Sequence, residues 1–208
     1  MDGNNRWSKK KGYSKLQSYQ KGAEKLLELT SYIFSHYNVN YISAFALSKN
    51  NTSRKNNFLA LFSKTLRNTL SQLDFSHIQF KVNIIGDLKC FDFEIQKLLL
   101  NLENKTKGYK KKLNIFLNYS GRQEIVAAKL ASPKGTHKNF ESRLLTSDTP
   151  DPDILLRSGG YQRLSDFMLY QISFTDLFFT KKLWPDIKKK DIDLLINRYS
   201  KLTRKFGL

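Results

Sequence analysis

The chain has 208 residues, a length for one domain or two small ones. With 40% hydrophobic and 13% aromatic residues it has the material for a core, which excludes global disorder, and Gly 10 with Pro 4 excludes collagen-like and low-complexity classes. Lys and Arg number 36 against 18 Asp and Glu, so the formal charge is +18 and the surface seeks anions: nucleic acid, an anionic membrane or phosphorylated small molecules.

Residues 1–12 are polar and basic and lack the apolar stretch of a secretory signal. Residues 17–34 predict a helix, with Leu26, Leu29, Ile33 and Phe34 at helical spacing. Residues 41–47 form a short apolar run of strand formers. Residues 57–73 predict a second helix carrying Phe58, Leu61, Phe62, Leu66, Leu70 and Leu73. Residues 78–85 alternate and end at Gly86-Asp87, a strand followed by a turn. Residues 91–103 are helical again, and 112–117 form a strand ending at Asn118-Tyr119-Ser120-Gly121. Residues 122–130 are a helix closed by Pro133 and Gly135. Residues 153–156 are a buried strand, 165–174 a helix and 190–203 the last helix. Strand and helix alternate without hairpin signals, which predicts parallel strands joined by crossover helices in one α/β domain.

The remaining features narrow the classes. Cys90 is the lone cysteine, so neither an internal disulfide nor a thiolate zinc site is available, and a reducing compartment is favoured. No run of about 18 apolar residues is present. Lysine dominates the cations, and a lysine-rich surface also arises from coding bias alone; the arginines fit that explanation less well, because Arg is the planar, bidentate ligand of phosphate. His36, His77 and His137 are scattered and are assigned to no metal.

In open parallel sheets, ligands sit beyond the carboxyl ends of the strands. The loops to inspect run from Ser48 to Arg54, at Gly86-Asp87, from Asn118 to Arg122, and from Arg157 to Ser165. The last feeds an apolar strand into an arginine, two glycines, a second arginine and a serine that opens the expected helix. Glycines let backbone N–H groups approach a ligand, a helix N-terminus attracts anions, and Arg157, Arg163 and Ser165 supply charge-assisted hydrogen bonds to phosphate oxygens. The plainer alternative is a turn with arginines in surface pairs. Met1-Asp2-Gly3-Asn4-Asn5-Arg6-Trp7 offers a carboxylate, flexible backbone and a guanidinium, a set able to hold a magnesium-bound diphosphate. A frayed terminus is its alternative.

Several blocks in order then carry a resemblance. They are Met1-Asp2-Gly3-Asn4-x-Arg6-Trp7, Asn118-Tyr119-x-Gly121-Arg122-Gln123-Glu124-Ile125-Val126, Pro150-Asp151-Pro152-Asp153-Ile154-Leu155-Leu156-Arg157-Ser158-Gly159-Gly160, Arg163-Leu164-Ser165-x-Phe167-x-Leu169-x-Gln171, and Leu177-x-Phe179-Thr180-x-x-x-Trp184-Pro185-Asp186. In this order and spacing the chain resembles the cis-prenyltransferases, the undecaprenyl diphosphate synthase family, over nearly its whole length. The end, from Arg198-Tyr199 to Arg204-Lys205-Phe206-Gly207, is similar to bacterial members.

The resemblance implies a parallel six-stranded sheet surrounded by helices, with a hydrophobic tunnel, in a homodimer. It implies an Mg²⁺-dependent condensation of isopentenyl diphosphate with an allylic diphosphate such as farnesyl diphosphate, giving a cis-polyprenyl diphosphate, a carrier-lipid precursor. Carried over residue by residue, Asp2 is the essential carboxylate near metal and allylic diphosphate. Gly3, Asn4, Asn5 and Arg6 cradle that diphosphate, with Trp7 beside it. Asn51 matches the asparagine assigned to proton handling, although an amide is a poor base and its role is then orientation. Ser48 and Arg54 match the same loop. Arg157, Arg163, Leu164 and Ser165 match the isopentenyl diphosphate site, and Asp176 stands where the family has a metal-binding glutamate. Phe58, Leu61 and Phe62 are candidates for the tunnel wall, with plain core as the alternative.

The sequence departs from the family pattern at named places. The apolar strand expected before Asp2 is absent, so residues 1–208 are expected to be one catalytic domain with a shortened N-terminus, explained by a misread start site or by true truncation. Tyr19 replaces a histidine, Lys15 an arginine, Asn50 a glutamate, Thr52 a tryptophan, Lys55 a proline, Asp166 an asparagine and Tyr161 a glutamate. Residues 131–145 look shortened. A degenerate, non-catalytic relative that binds prenyl diphosphates or supports a partner subunit is therefore the second hypothesis. No nucleic-acid motif appears and the cations are spread along the chain, so nucleic acid is not an expected partner. The expected location is cytoplasmic. Lys181, Lys182 and the run Lys188-Lys189-Lys190 form a solvated basic face, with loose contact to the inner face of an anionic membrane as the alternative.

Overall fold

The computed structural model describes residues 1–52, 58–72, 74–132 and 136–203. The chain divides into two units, one of Met1–Tyr37, Asp151–Arg163 and Gln171–Leu208, the other of Asn38–Pro150 and Leu164–Tyr170.

The first unit begins with helix α1, Asn4–Lys11, formed within the polar and basic N-terminal segment. Gly3 precedes it at φ 105, and a Cβ there would lie 2.8 Å from Leu183 Cδ2, so only glycine suits this entry. Helix α2, Lys15–His36, starts at a capping box: Ser14 Oγ accepts from the Gln17 N–H while the Gln17 side chain accepts from the Ser14 N–H. Strands β4, Ile154–Arg157, and β5, Asp176–Phe179, pair in parallel, with Ile154 opposite Asp176 and Arg157 opposite Phe179. β5 falls in a stretch where the sequence pattern predicts no element. Helix α8, Lys189–Tyr199, completes the unit. Leu29, Ile187 and Ile192 form its buried cluster, with Ile33, Leu156, Trp184 and Ile196 packed around them.

The second unit is built on three parallel strands, β1 (Tyr41–Phe45), β2 (Lys81–Ile85) and β3 (Lys112–Phe116), in the order β1-β3-β2. β3 is central and reads almost entirely buried, as a strand covered on both faces should. Helices α3 (Lys49–Thr52) and α4 (Phe58–Ser71) follow β1, α5 (Phe93–Thr106) follows β2, and α6 (Gly121–Ala131) and α7 (His137–Glu141) follow β3. β2 is an edge strand, and side chains of α5 cover its outward N–H groups. Thr106 Oγ1 accepts from the Val82 N–H at 3.0 Å and Glu103 Oε1 from the Ile84 N–H at 2.8 Å. Phe62 is buried and stacks with Phe58 and Phe91.

The α/β architecture of parallel strands and crossover helices is as expected. Among the described residues the strands number five, in a three-stranded and a two-stranded sheet, where the resemblance implies six. One element is corrected. Residues 165–174, expected as a helix, are consecutive turns. Ser165, Asp166 and Met168 hold φ values of 53, 68 and 46, which an α-helix forbids. Bonds at Asp166 hold this path: its carbonyl accepts from the Gly121 N–H at 2.9 Å, and its carboxylate accepts from Ser120 Oγ at 2.5 Å and the Arg122 N–H at 3.0 Å.

Candidate functional site

The first unit brings together Asp2, Arg6, Arg157, Tyr161 and Arg163. The backbone of Asp2 is clasped by Ser158, whose Oγ accepts from the Asp2 N–H and donates to the Asp2 carbonyl, both at 3.0 Å. The Trp184 N–H donates to the same carbonyl at 3.0 Å. Asp2 is therefore held by backbone bonds, and the frayed-terminus alternative does not describe it. Its carboxylate Oδ2 accepts from Arg157 Nη2 at 3.0 Å and Oδ1 from Arg6 Nη2 at 3.4 Å. The Arg157 side chain is 13% exposed, against 34% for Asp2 and 45% for Arg6, so the trio opens toward solvent on the Arg6 side.

Gly159 makes this approach possible. It sits at φ +89, and a Cβ there would fall 2.6 Å from Arg6 Nη2 and 3.2 Å from Asp2 Cβ and Cγ. Arg157 also donates through Nη1 to the Arg163 carbonyl. The Tyr161 ring lies 4.4 Å from the Arg163 guanidinium, 5.0 Å from that of Arg6 and 5.9 Å from that of Arg157. The first-turn N–H groups of α1 have no intrahelical acceptor, which adds positive potential at Asn4, Asn5 and Arg6. Asn4 Oδ1 is buried and has no hydrogen-bond partner among the described residues.

Some expectations about the Arg157 loop change. The Gly159 N–H donates to the Lys182 carbonyl at 2.7 Å and the Gly160 N–H to the Thr180 carbonyl at 2.8 Å, so neither is available to a phosphate. No helix opens at Ser165, so no helix dipole acts there. What the loop offers an anion is its guanidinium groups. Trp7 is 8% exposed, stacks on Tyr13 at 5.1 Å, and donates its indole N–H to Asp186 Oδ1 at 2.8 Å; it anchors α1 from within. Tyr19, at the family's histidine position, has its phenol pushed up, first by burial and then by the negative charge of Asp2, so it stays a neutral group.

Asp176 does not join this group. It opens β5, while Arg157 closes β4, and the register puts them at opposite ends of the two-stranded sheet, about 10 Å apart along the strands. The remaining predicted residues belong to the second unit. Ser48 follows β1, bridged in parallel to Tyr119, and its carbonyl accepts from the Asn51 N–H in α3. Both side chains are half-buried. Leu164 and Ser165 lead into the turns described above. Arg54 lies outside the described residues.

Mg²⁺ keeps several waters and takes one or two carboxylates plus substrate phosphates. Asp2 meets that demand: a hard oxygen donor, a third exposed, with guanidinium groups beside it for phosphate oxygens. Among the described residues no group of three or more His, Cys, Asp or Glu could cage a metal, so an ion here would depend on water and substrate oxygens beside Asp2. Ser158, Tyr161, Lys182 and Asp186 shape the group without having been assigned a role from sequence. Trp184-Pro185-Asp186 was visible as a motif, but its partner Trp7 could be found only in three dimensions. No helix among the described residues is long and apolar enough to cross a membrane.

Comparison with known proteins follows the same lines. The family model described as putative undecaprenyl diphosphate synthase matches residues 1–207. An isoprenyl transferase of Helicobacter pylori strain J99 is 36% identical over 223 residues, covering 100% of this chain and 94% of the relative. Among solved structures, lavandulyl diphosphate synthase from Lavandula x intermedia, in complex with dimethylallyl diphosphate, superposes with a TM-score of 0.87 at 26% identity, covering 100% of this chain and 95% of that one. A probable undecaprenyl diphosphate synthase from Campylobacter jejuni gives a TM-score of 0.75 at 26% identity, covering 92% and 93%.

Proposed function

Since this chain belongs to the putative undecaprenyl diphosphate synthase family, a family of prenyltransferases, we propose that it is an Mg²⁺-dependent cis-prenyltransferase. It condenses isopentenyl diphosphate with an allylic diphosphate such as farnesyl diphosphate to make a polyprenyl diphosphate, a precursor of carrier lipid. The observation that carries the reading is the Asp2 carboxylate held between Arg6 and Arg157, with Arg163 on the same tyrosine ring.

The chemistry asks these residues to hold a leaving diphosphate. The allylic C–O bond breaks, and its electron pair departs on the diphosphate. The isopentenyl double bond attacks the allylic carbon, and a proton is lost from the new unit. Bound at Asp2, Mg²⁺ would neutralise diphosphate oxygens. Arg6 and the first-turn N–H groups at Asn4 and Asn5 receive the allylic diphosphate, and Arg157 and Arg163 receive that of isopentenyl diphosphate. Gly3 supplies the turn that aims α1. Ser48, Asn51, Arg54, Leu164 and Ser165 are assigned to substrate binding by motif, with Asn51 orienting the group that takes the proton. Residues 1–208 act as one catalytic domain in a homodimer in the cytoplasm, and exposed Phe174, Leu177 and Phe179 offer apolar surface to a second copy. The lipid product brings the enzyme to the inner face of the membrane, where the basic face from Lys181 to Lys190 favours anionic lipid.

A product assay tests the reading. Protein, Mg²⁺, farnesyl diphosphate and labelled isopentenyl diphosphate are expected to yield labelled polyprenyl product, lowered about 10³-fold or more in Asp2→Ala. Folded wild-type protein that makes none, beside an active relative, overturns it in favour of a non-catalytic diphosphate binder.

A further inference from the structure

Three guanidinium groups meet around Tyr161. Those of Arg163, Arg6 and Arg157 lie 4.4, 5.0 and 5.9 Å from the ring centroid, all within the range at which a ring quadrupole attracts a cation. Guanidinium groups repel one another, so gathering three needs a compensating group. Asp2 is a partner to Arg6 and Arg157, and no ion pair to Arg163 is seen among the described residues. A second carboxylate would gather them too, but it would cancel a charge. An aromatic ring gathers them and leaves their charge for a ligand.

We propose that Tyr161 is a positioning residue that holds Arg6, Arg157 and Arg163 together through its ring face, so that the cluster keeps a surplus of positive charge for a diphosphate. The inference rests on the diphosphate reading above and adds a residue to it. Arg6 belongs to the segment assigned to one substrate and Arg157 with Arg163 to the segment assigned to the other. Tyr161 thus ties the two sets of arginines to one ring. Tyr161 is 45% exposed, and the ring face, not the hydroxyl, meets the three guanidinium groups, which makes the ring the testable element.

The experiment measures binding of inorganic pyrophosphate with Mg²⁺ by calorimetry on the full chain. Tyr161→Phe is expected to bind within about twofold of wild type, because the ring is kept. Tyr161→Leu is expected to bind roughly tenfold more weakly, and Tyr161→Glu more weakly again with a shallower dependence on salt, because it adds a negative charge. Phenylalanines of increasing fluorination at position 161 weaken the ring quadrupole with little change of shape, and affinity should fall along the series; this arm holds even where Tyr161→Leu disturbs the loop. Leu equal to wild type, Phe as weak as Leu, or a flat fluorination series each overturns the proposal. Pyrophosphate binding needs no turnover, so a wild type that binds it in the expected order yet makes no prenyl product supports the role of Tyr161 and sinks the prenyltransferase reading alone.

Discussion

The loops after β3 and β4 both leave the carboxyl end of a parallel strand, and both carry a tyrosine, a serine and a glycine. In the loop after β3, Tyr119 is 2% exposed and donates its hydroxyl to Glu124 Oε2 at 2.6 Å. Glu124, 4% exposed, also accepts from the Leu145 N–H at 2.9 Å. Burial, and then the charge of Glu124, push the Tyr119 phenol far up, so it is a permanent donor. Ser120 and Gly121 are engaged by Asp166, and Asn118 Nδ2 by the Asp87 carbonyl. Donors and acceptors match inside the unit. In the loop after β4 the tyrosine is exposed and faces three guanidinium groups, two of which, those of Arg6 and Arg157, share the Asp2 carboxylate. A matched polar cluster is a clasp, because burial leaves nothing over to bind with. A cluster with surplus charge at a solvent opening is where a ligand completes the pairing.

Three substitutions can break or sharpen that contrast. The largest effect is expected at Arg157→Lys. A lysine cannot reach both the Asp2 carboxylate and the Arg163 carbonyl, so kcat/KM should fall about 10²-fold with folding retained. Steady-state kinetics with isopentenyl diphosphate varied reads it, and an unchanged value removes the loop after β4 from the site. Next comes Tyr119→Phe, which deletes the donor to a buried carboxylate. It should cost about 2–3 kcal/mol in denaturant unfolding while kcat/KM per folded molecule stays put. A fall in kcat/KM instead would give the loop after β3 a direct part in chemistry.

The smallest effect concerns another matched pair. Lys112, 11% exposed on its side chain, donates to Asp148 Oδ2 at 2.6 Å. That hydrogen bond holds the Asp148 carboxyl below its ordinary value of 3.8. A depressed folded pKa means stability that is present above 3.8 and lost as pH falls through the lower, folded value. Asp148 is 59% exposed, which limits the gain to about 1 kcal/mol. Asp148→Asn should be less stable than wild type by that amount near neutrality, and the gap should close in acid. A gap that persists below the range of carboxylate titration would show that the side chain acts through packing.

Much of the architecture was legible because periodicity and capping are local. The apolar spacing of residues 17–34 marked α2, and the alternation of 78–85 marked β2. Two elements were not legible. α1 has a polar sequence, and its order comes from Gly3, Trp7 and Asp186, a contact across 179 positions of chain. Residues 165–174 carry a helix-like pattern, yet bonds from Ser120, Gly121 and Arg122 to Asp166 hold them in turns. The site residues Asp2, Arg6, Arg157 and Arg163 could be nominated from residue chemistry and motif order. That Asp176 stands at the far end of its strand, and that the glycine N–H groups already have acceptors, could not.

The chain of residues alone was enough for the α/β class, for the basic surface, and for the arginines and the carboxylate as candidates, since these follow from composition, local spacing and motif order. The tertiary structure decided which of them meet. The Asp2–Arg157 bond spans 155 residues, and the gathering of Arg6 with Arg163 on Tyr161 is equally remote in sequence. Such contacts depend on strand register, on positive-φ glycines and on which backbone donors neighbouring strands have already taken. No pattern of nearby residues records those facts, because the energy of a long-range polar contact is set by where the rest of the fold places its two ends.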